Sequence, residues 1–278
     1  MKIWLTYTLR TAVTFIMAVL LATSCSQDNF DEPIAEGETA IVSFNSTIEY
    51  QTETRAWDAS NVDKLYFELY LDDKIIERLE YDVVDGNVDN FQIELLKNMT
   101  YTAVFWAQKE GCSAYTFTNL NNISIIYDST PCSNFAEVGE KDAFHAACTF
   151  TVNTTTINEG VDVRLTRPFA LVTVGVNPSN FTSGTTSSIT LNKVATSFDA
   201  VTGTASNGDV KTLNFVPDGT TTVPGKSQTM LAMAYILPLK NSATDITIRK
   251  TVGSQTEENT LTINKLEANK RYNILSAE

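Results

Sequence analysis

His145 is the only histidine in the 278-residue chain, and that single imidazole bounds the chemistry available. Any multi-histidine metal centre is excluded, including the His-Glu-x-x-His zinc motif. A Ser-His-Asp triad or a Cys-His dyad would have to use His145, and no Gly-x-Ser-x-Gly nucleophile elbow occurs. His145 and Cys148 are three residues apart on extended chain, which sends their side chains to opposite faces. His145 is therefore expected to pack or hydrogen-bond within the fold. Neither Gly-x-Gly-x-x-Gly nor the P-loop pattern is present, so no loop is built to cradle phosphate. Asp72 and Asp73 are adjacent and loop-borne, and nothing sets two carboxylates at glycosidase separation. Asp85, Asn87 and Asp89 have the spacing of the first three ligands of a calcium loop. Gly86 is misplaced for such a loop, and Leu96 stands where its glutamate belongs, so a hairpin turn is expected. No catalytic residue, metal or cofactor is expected, and the chain reads as a non-enzyme.

Trp57 and Trp106 have the flat faces that stack on sugars. Trp106 lies in the apolar run Thr102-Ala103-Val104-Phe105-Trp106 and is expected in the core. Trp57, close to Arg55, is open to core or surface. Cys112 and Cys132 both sit in loop-like sequence and are the expected disulfide pair of an exported protein, with Cys148 a core thiol. Three cysteines leave the pairing open. A net charge of −13 without a basic cluster argues against nucleic acid as a partner.

The elements that must position these residues are strands. Val42, Phe44, Ile48 and Tyr50 alternate with polar residues, and Ser46 interrupts the apolar face. Runs at 65–69, 75–84, 88–95, 101–107, 123–127, 148–152 and 161–165 follow the same period. Asp85-Gly86-Asn87 between the second and third of these predicts a hairpin. After Pro168, strands are expected at 169–176, 188–192, 210–215, 230–237, 245–250, 259–264 and 271–275, with only short pieces such as 133–138 helical. This strand count predicts an all-β chain of two β-sandwiches, 40–165 and 166–278.

The N-terminus has a different logic. Lys2 and Arg10 precede an apolar stretch from Thr11 to Leu21, and Leu21-Ala22-Thr23-Ser24-Cys25 marks its end. This order resembles a bacterial lipoprotein signal, although the Leu is four residues before the Cys where three is usual. The apolar stretch is short for a membrane span, so residues 1–24 are expected to be cleaved. Cys25 would then carry the lipid, palmitate included, that holds the protein to the outer membrane. Residues 25–39 read as an acidic, disordered tether containing Asp28, Asp31, Glu32, Glu36 and Glu38.

Val104-Phe105-Trp106-Ala107-Gln108, Asp142-Ala143-Phe144, Arg167-Pro168-Phe169-Ala170-Leu171-Val172 and Asn269-Lys270-Arg271-Tyr272-Asn273 occur in that order behind Cys25. The combination resembles the fimbrillin-type (type V pilin) lipoprotein family. The resemblance implies two tandem transthyretin-like sandwiches, export to the cell surface, and assembly into a fimbrium with other fimbrial subunits by donor-strand exchange. It implies that an Arg-specific protease cuts between Arg55 and Ala56, and that the strand bearing Val42, Phe44, Ile48 and Tyr50 then leaves. Little chain follows the last strand before Glu278, which points to an accessory tip or anchor subunit. The alternative is a non-polymerising lipoprotein that binds a host or bacterial surface glycan.

Overall fold

The period-two alternation is realised as strands in the computed structural model, whose described residues are 37–49, 62–153 and 158–276. Cys25, Tyr50, Arg55, Ala56 and Trp57 lie outside them. Strands are numbered in chain order. Thr39–Ile48 (β1) buries Ala40, Val42, Phe44, Ser46 and Ile48 on one face. It is the middle strand of three, with Phe91–Leu96 (β4) antiparallel on one side and Asn158–Leu165 (β9) parallel on the other. The opposing sheet runs Lys74–Asp82 (β3), Lys64–Leu71 (β2), Met99–Gln108 (β5), Ala143–Val152 (β8), all antiparallel. Val42, Phe44, Leu65, Phe67, Phe91, Phe105, Phe144 and Leu165 fill the space between them. This is a β-sandwich.

The Asp85-Gly86-Asn87 turn forms, with φ of 50° at Asp85 and 76° at Gly86. The hairpin expected of it does not. β3 pairs with β2 through a tight turn at Asp72 and Asp73, where φ is 48° and 63°. Both central residues have positive φ, as a primed turn requires. With β3 already taken, the chain crosses from one sheet to the other at Asp85, and β4 finds β1 instead.

The second sandwich repeats the plan of the first. Ala170–Val176 (β10) is again central, with Thr229–Ile236 (β13) antiparallel and Arg271–Leu275 (β16) parallel. The facing sheet runs Gln255–Ile263 (β15), Thr244–Val252 (β14), Thr186–Asp199 (β11), Ile123–Ile125 (β7), Tyr115–Thr116 (β6). Thr204–Phe215 (β12) pairs along the other side of β11. β6 and β7 thus leave the N-terminal half of the sequence to join a C-terminal sheet. The helix Phe135–Gly139 (α1), capped by the Asn134 side chain accepting from Ala136 N at 3.0 Å, packs against β13. The two cores meet across β2 and β5. Leu65, Phe67, Ala103 and Phe105 face the first core, whereas Tyr70, Val104 and Trp106 face the second.

Candidate functional site

The slot that holds β1 is built from both of its neighbours and from the floor below. Residues 39–44 pair with β4 and residues 41–48 with β9. Where β4 ends, the turn at Asp85 takes over. Ile48 N donates to Gly86 O (2.9 Å), and Val88 N donates to Ser46 O (3.3 Å). Glu49 N donates to Leu165 O (2.9 Å) at the far end of β9. At the near end, Lys97 N donates to Glu38 O (2.7 Å) and its ammonium meets the Glu38 carboxylate at 3.3 Å. Both edges of β1 are therefore bonded along most of its length.

Below the strand lies an aromatic floor. The Phe44 ring is fully buried, with centroids of Phe91 at 5.2 Å, Phe67 at 5.3 Å, Phe150 at 5.7 Å and Phe105 at 6.1 Å. Val42, Phe44 and Ile48 each contribute on the order of 1.5–3 kcal/mol by burial. Ser46 points into the same interior with 1% of its surface exposed, and its Oγ has no hydrogen-bond partner. Without β1, the inner edges of β4 and β9 would present unpaired backbone donors and acceptors around an apolar trough.

The crossover between the sandwiches contains a buried ion pair. Arg167 Nε donates to Asp142 Oδ1 (2.6 Å) and Nη2 to Oδ2 (2.5 Å). The guanidinium carbon stands 5.0 Å from the Phe144 centroid and 5.6 Å from that of Tyr235. Burial pushes the Asp142 carboxyl up, and its bidentate bonds to Arg167 oppose that and keep the guanidinium protonated. Asp142 and Arg167 are both visible in the sequence just ahead of apolar runs, but nothing there shows that they pair.

His145 packs, as its sequence setting predicts. Its Nε2–H donates to Ala200 O (2.6 Å), and the ring meets Phe198 edge-on at 5.0 Å. Burial pushes its pKa below the usual histidine value. Trp106 is fully buried and its Nε1–H donates to Gln108 Oε1 (2.7 Å), so it offers no face to a sugar. Among the described residues no cluster of three or more His, Cys, Asp or Glu could hold a metal.

The disulfide expected between Cys112 and Cys132 is not formed. Cys112, Cys132 and Cys148 are all free, half-buried thiols. Cys132 is fixed to the second sandwich, where its N donates to Asn214 O (2.9 Å), its O accepts from Val216 N (2.8 Å) and its thiol donates to Asn134 O (3.2 Å). Cys112 N instead donates to Lys109 O, just beyond β5. Burial raises the pKa of Cys112 and Cys148, which favours the protonated thiol in both.

A second feature is an open cleft of about 500 Å³ beside β2 and β3. Two half-buried aromatics, Tyr66 and Phe117, meet edge-to-face there at 5.1 Å, flanked by exposed Arg78 and Glu80. The sequence reading missed it, because Tyr66 and Phe117 carry no motif and come together only through strand pairing. Beneath it, the buried Glu68 carboxylate accepts from Arg78 Nε (2.9 Å), Leu120 N (2.9 Å) and the Tyr70 hydroxyl.

Residues 34–277 match the model of a family of unknown function, DUF6562. No curated protein matches the chain in sequence. Among solved structures it is similar to a candidate polysaccharide-binding protein (DUF1812) from Bacteroides thetaiotaomicron, at 13% identity and a TM-score of 0.55, covering 85% of this chain and 90% of that one. It is similar to a candidate adhesin from Bacteroides ovatus at 13% identity and a TM-score of 0.55, covering 91% and 90%. The fimbrial anchor protein Mfa2 from Porphyromonas gingivalis matches at 15% identity and a TM-score of 0.48, covering 75% and 78%. At such identities the likeness is one of fold.

Proposed function

The chain belongs to DUF6562, and for this member we propose a role as a cell-surface fimbrial subunit that serves adhesion, reaches the outer membrane on a lipid at Cys25 that is lost with the segment before Ala56, and performs no catalysis. The observation that carries this reading is the setting of β1. It is an interior strand, bonded on both edges and seated on an aromatic floor, and Arg55 follows it closely in sequence. In this reading an Arg-specific protease cuts between Arg55 and Ala56 and β1 departs. A strand from another subunit then pairs with β4 and β9 in its place, as in β-strand addition generally. The likeness of fold to a candidate adhesin supports the same reading.

The N-terminal residue of the protein recovered from assembled surface material tests it. A start at Ala56, together with shortened or missing fibres when the protein is deleted, is the expected result. A start at lipidated Cys25 with β1 retained removes strand exchange and leaves a lipid-tethered β protein. The cleft at Tyr66 and Phe117 favours a second reading, a surface glycan-binding lipoprotein that does not polymerise. Aromatic faces beside a carboxylate and a guanidinium suit a pyranose. That reading requires polysaccharide affinity that Tyr66→Ala abolishes, with fibres unchanged.

A further inference from the structure

We propose that Ser46 is a built-in weak point in the seating of β1, and that the segment which displaces β1 carries an apolar residue at that register position. The second half rests on the strand-exchange reading above. Ser46 lies between Phe44 and Ile48 on the buried face of the strand and is almost wholly removed from solvent. Its neighbour across the parallel ladder is Val163, which is buried and offers no side-chain acceptor. On the other edge, Val88 N takes up the backbone carbonyl of Ser46 and leaves the hydroxyl unpaired.

The second sandwich supplies the contrast. Its corresponding central strand, β10, also carries a buried hydroxyl, at Thr173, but that hydroxyl donates to Asn273 Oδ1 on β16 at 2.6 Å. The strand that stays is satisfied, and the strand that has a reason to go is not. A buried hydroxyl without a partner forfeits its water and gains nothing in return. An otherwise identical strand with Ala or Val at this position would therefore hold the slot more tightly. The deficit also selects the newcomer, because a segment with a polar residue in that register gains no advantage over β1.

Two measurements on the full chain test this. Ser46→Ala deletes the hydroxyl without adding volume, and Ser46→Val puts apolar methyl groups in its place. Both are expected to raise the thermal midpoint, by about 2–6 °C. After cleavage by an Arg-specific protease, labelled synthetic peptides spanning residues 39–49 are offered to the chain. The peptide with Val at position 46 is expected to displace β1 about tenfold more effectively than the native peptide. If both variants melt at or below the wild-type midpoint, or both peptides displace β1 and do so equally well, the proposal falls. If the variants melt higher but neither peptide ever replaces β1, the weak point stands. The exchange reading then fails, and the statement about the displacing segment fails with it.

Discussion

Asp142 and Arg167 are the residues on which the junction most depends. Each is buried and each satisfies the other in a bidentate pair. Replacing Asp142 with Ala leaves a guanidinium without its counter-charge in a dry site, at a cost of about 3–5 kcal/mol. Urea denaturation of Asp142→Ala against wild type measures it. His145 gives a pH signature. Its folded-state pKa is depressed, so the unfolded chain takes up a proton that the folded chain resists. The stability it contributes is intact above the ordinary histidine pKa of about 6.5 and is lost as pH falls below that value. The midpoint of wild type should therefore drop more steeply than that of His145→Gln between pH 7 and pH 5.5. At this scale the sequence showed each residue and its temperament. A lone histidine beside Phe144 reads as packed, and Asp142 and Arg167 each stand ahead of an apolar run. The pairing stayed hidden because it depends on the start of β8 meeting the crossover 25 residues later.

Strands were legible wherever side chains alternate cleanly, because a period of two marks the buried face directly. β1, β5, β10 and β13 all fall where alternation or continuous apolar sequence places them. Partners were not legible. Alternation says which face is buried, not which strand lies alongside, and so the Asp85 turn suggested a β3–β4 hairpin that the sheets do not contain. β11 was foreseen only in its first half, at 188–192, because a register shift between Leu191 and Val194 breaks the alternation. The seating of β1 can be probed at its centre. Phe44→Ala removes the ring around which Phe67, Phe91, Phe105 and Phe150 are arranged, and is expected to cost about 3–5 kcal/mol in chemical denaturation. The equivalent truncation of outward-facing Ile41, 42% exposed, should cost far less.

The whole molecule is less divisible than its sequence suggests. Punctuation at Pro168 separates the strands into two sets in chain order. In space, β6, β7 and α1 come from before that point and pack with the second core, and Trp106 on β5 meets Tyr115, Phe169 and Phe198 there. Sequence gave no hint of this, since the link consists of short strands whose partners lie far along the chain. Because one sheet lines both cores, the two sandwiches should unfold together. Calorimetry and near-ultraviolet circular dichroism are expected to report one coincident transition, whereas two resolved transitions would show that the shared sheet does not couple them.

The two ladders that flank β1 also fix how the site responds to load. The strand runs alongside β9 through residues 41–48 and alongside β4 through residues 39–44, so a pull along its axis slides it past both neighbours. Sliding strains every rung at once, whereas peeling from an end would open them one at a time. Any strand seated there resists tension in the stiffest direction a sheet possesses. A strand held by this geometry stands firm against a pull along its length, yet yields rung by rung to a lift from one end.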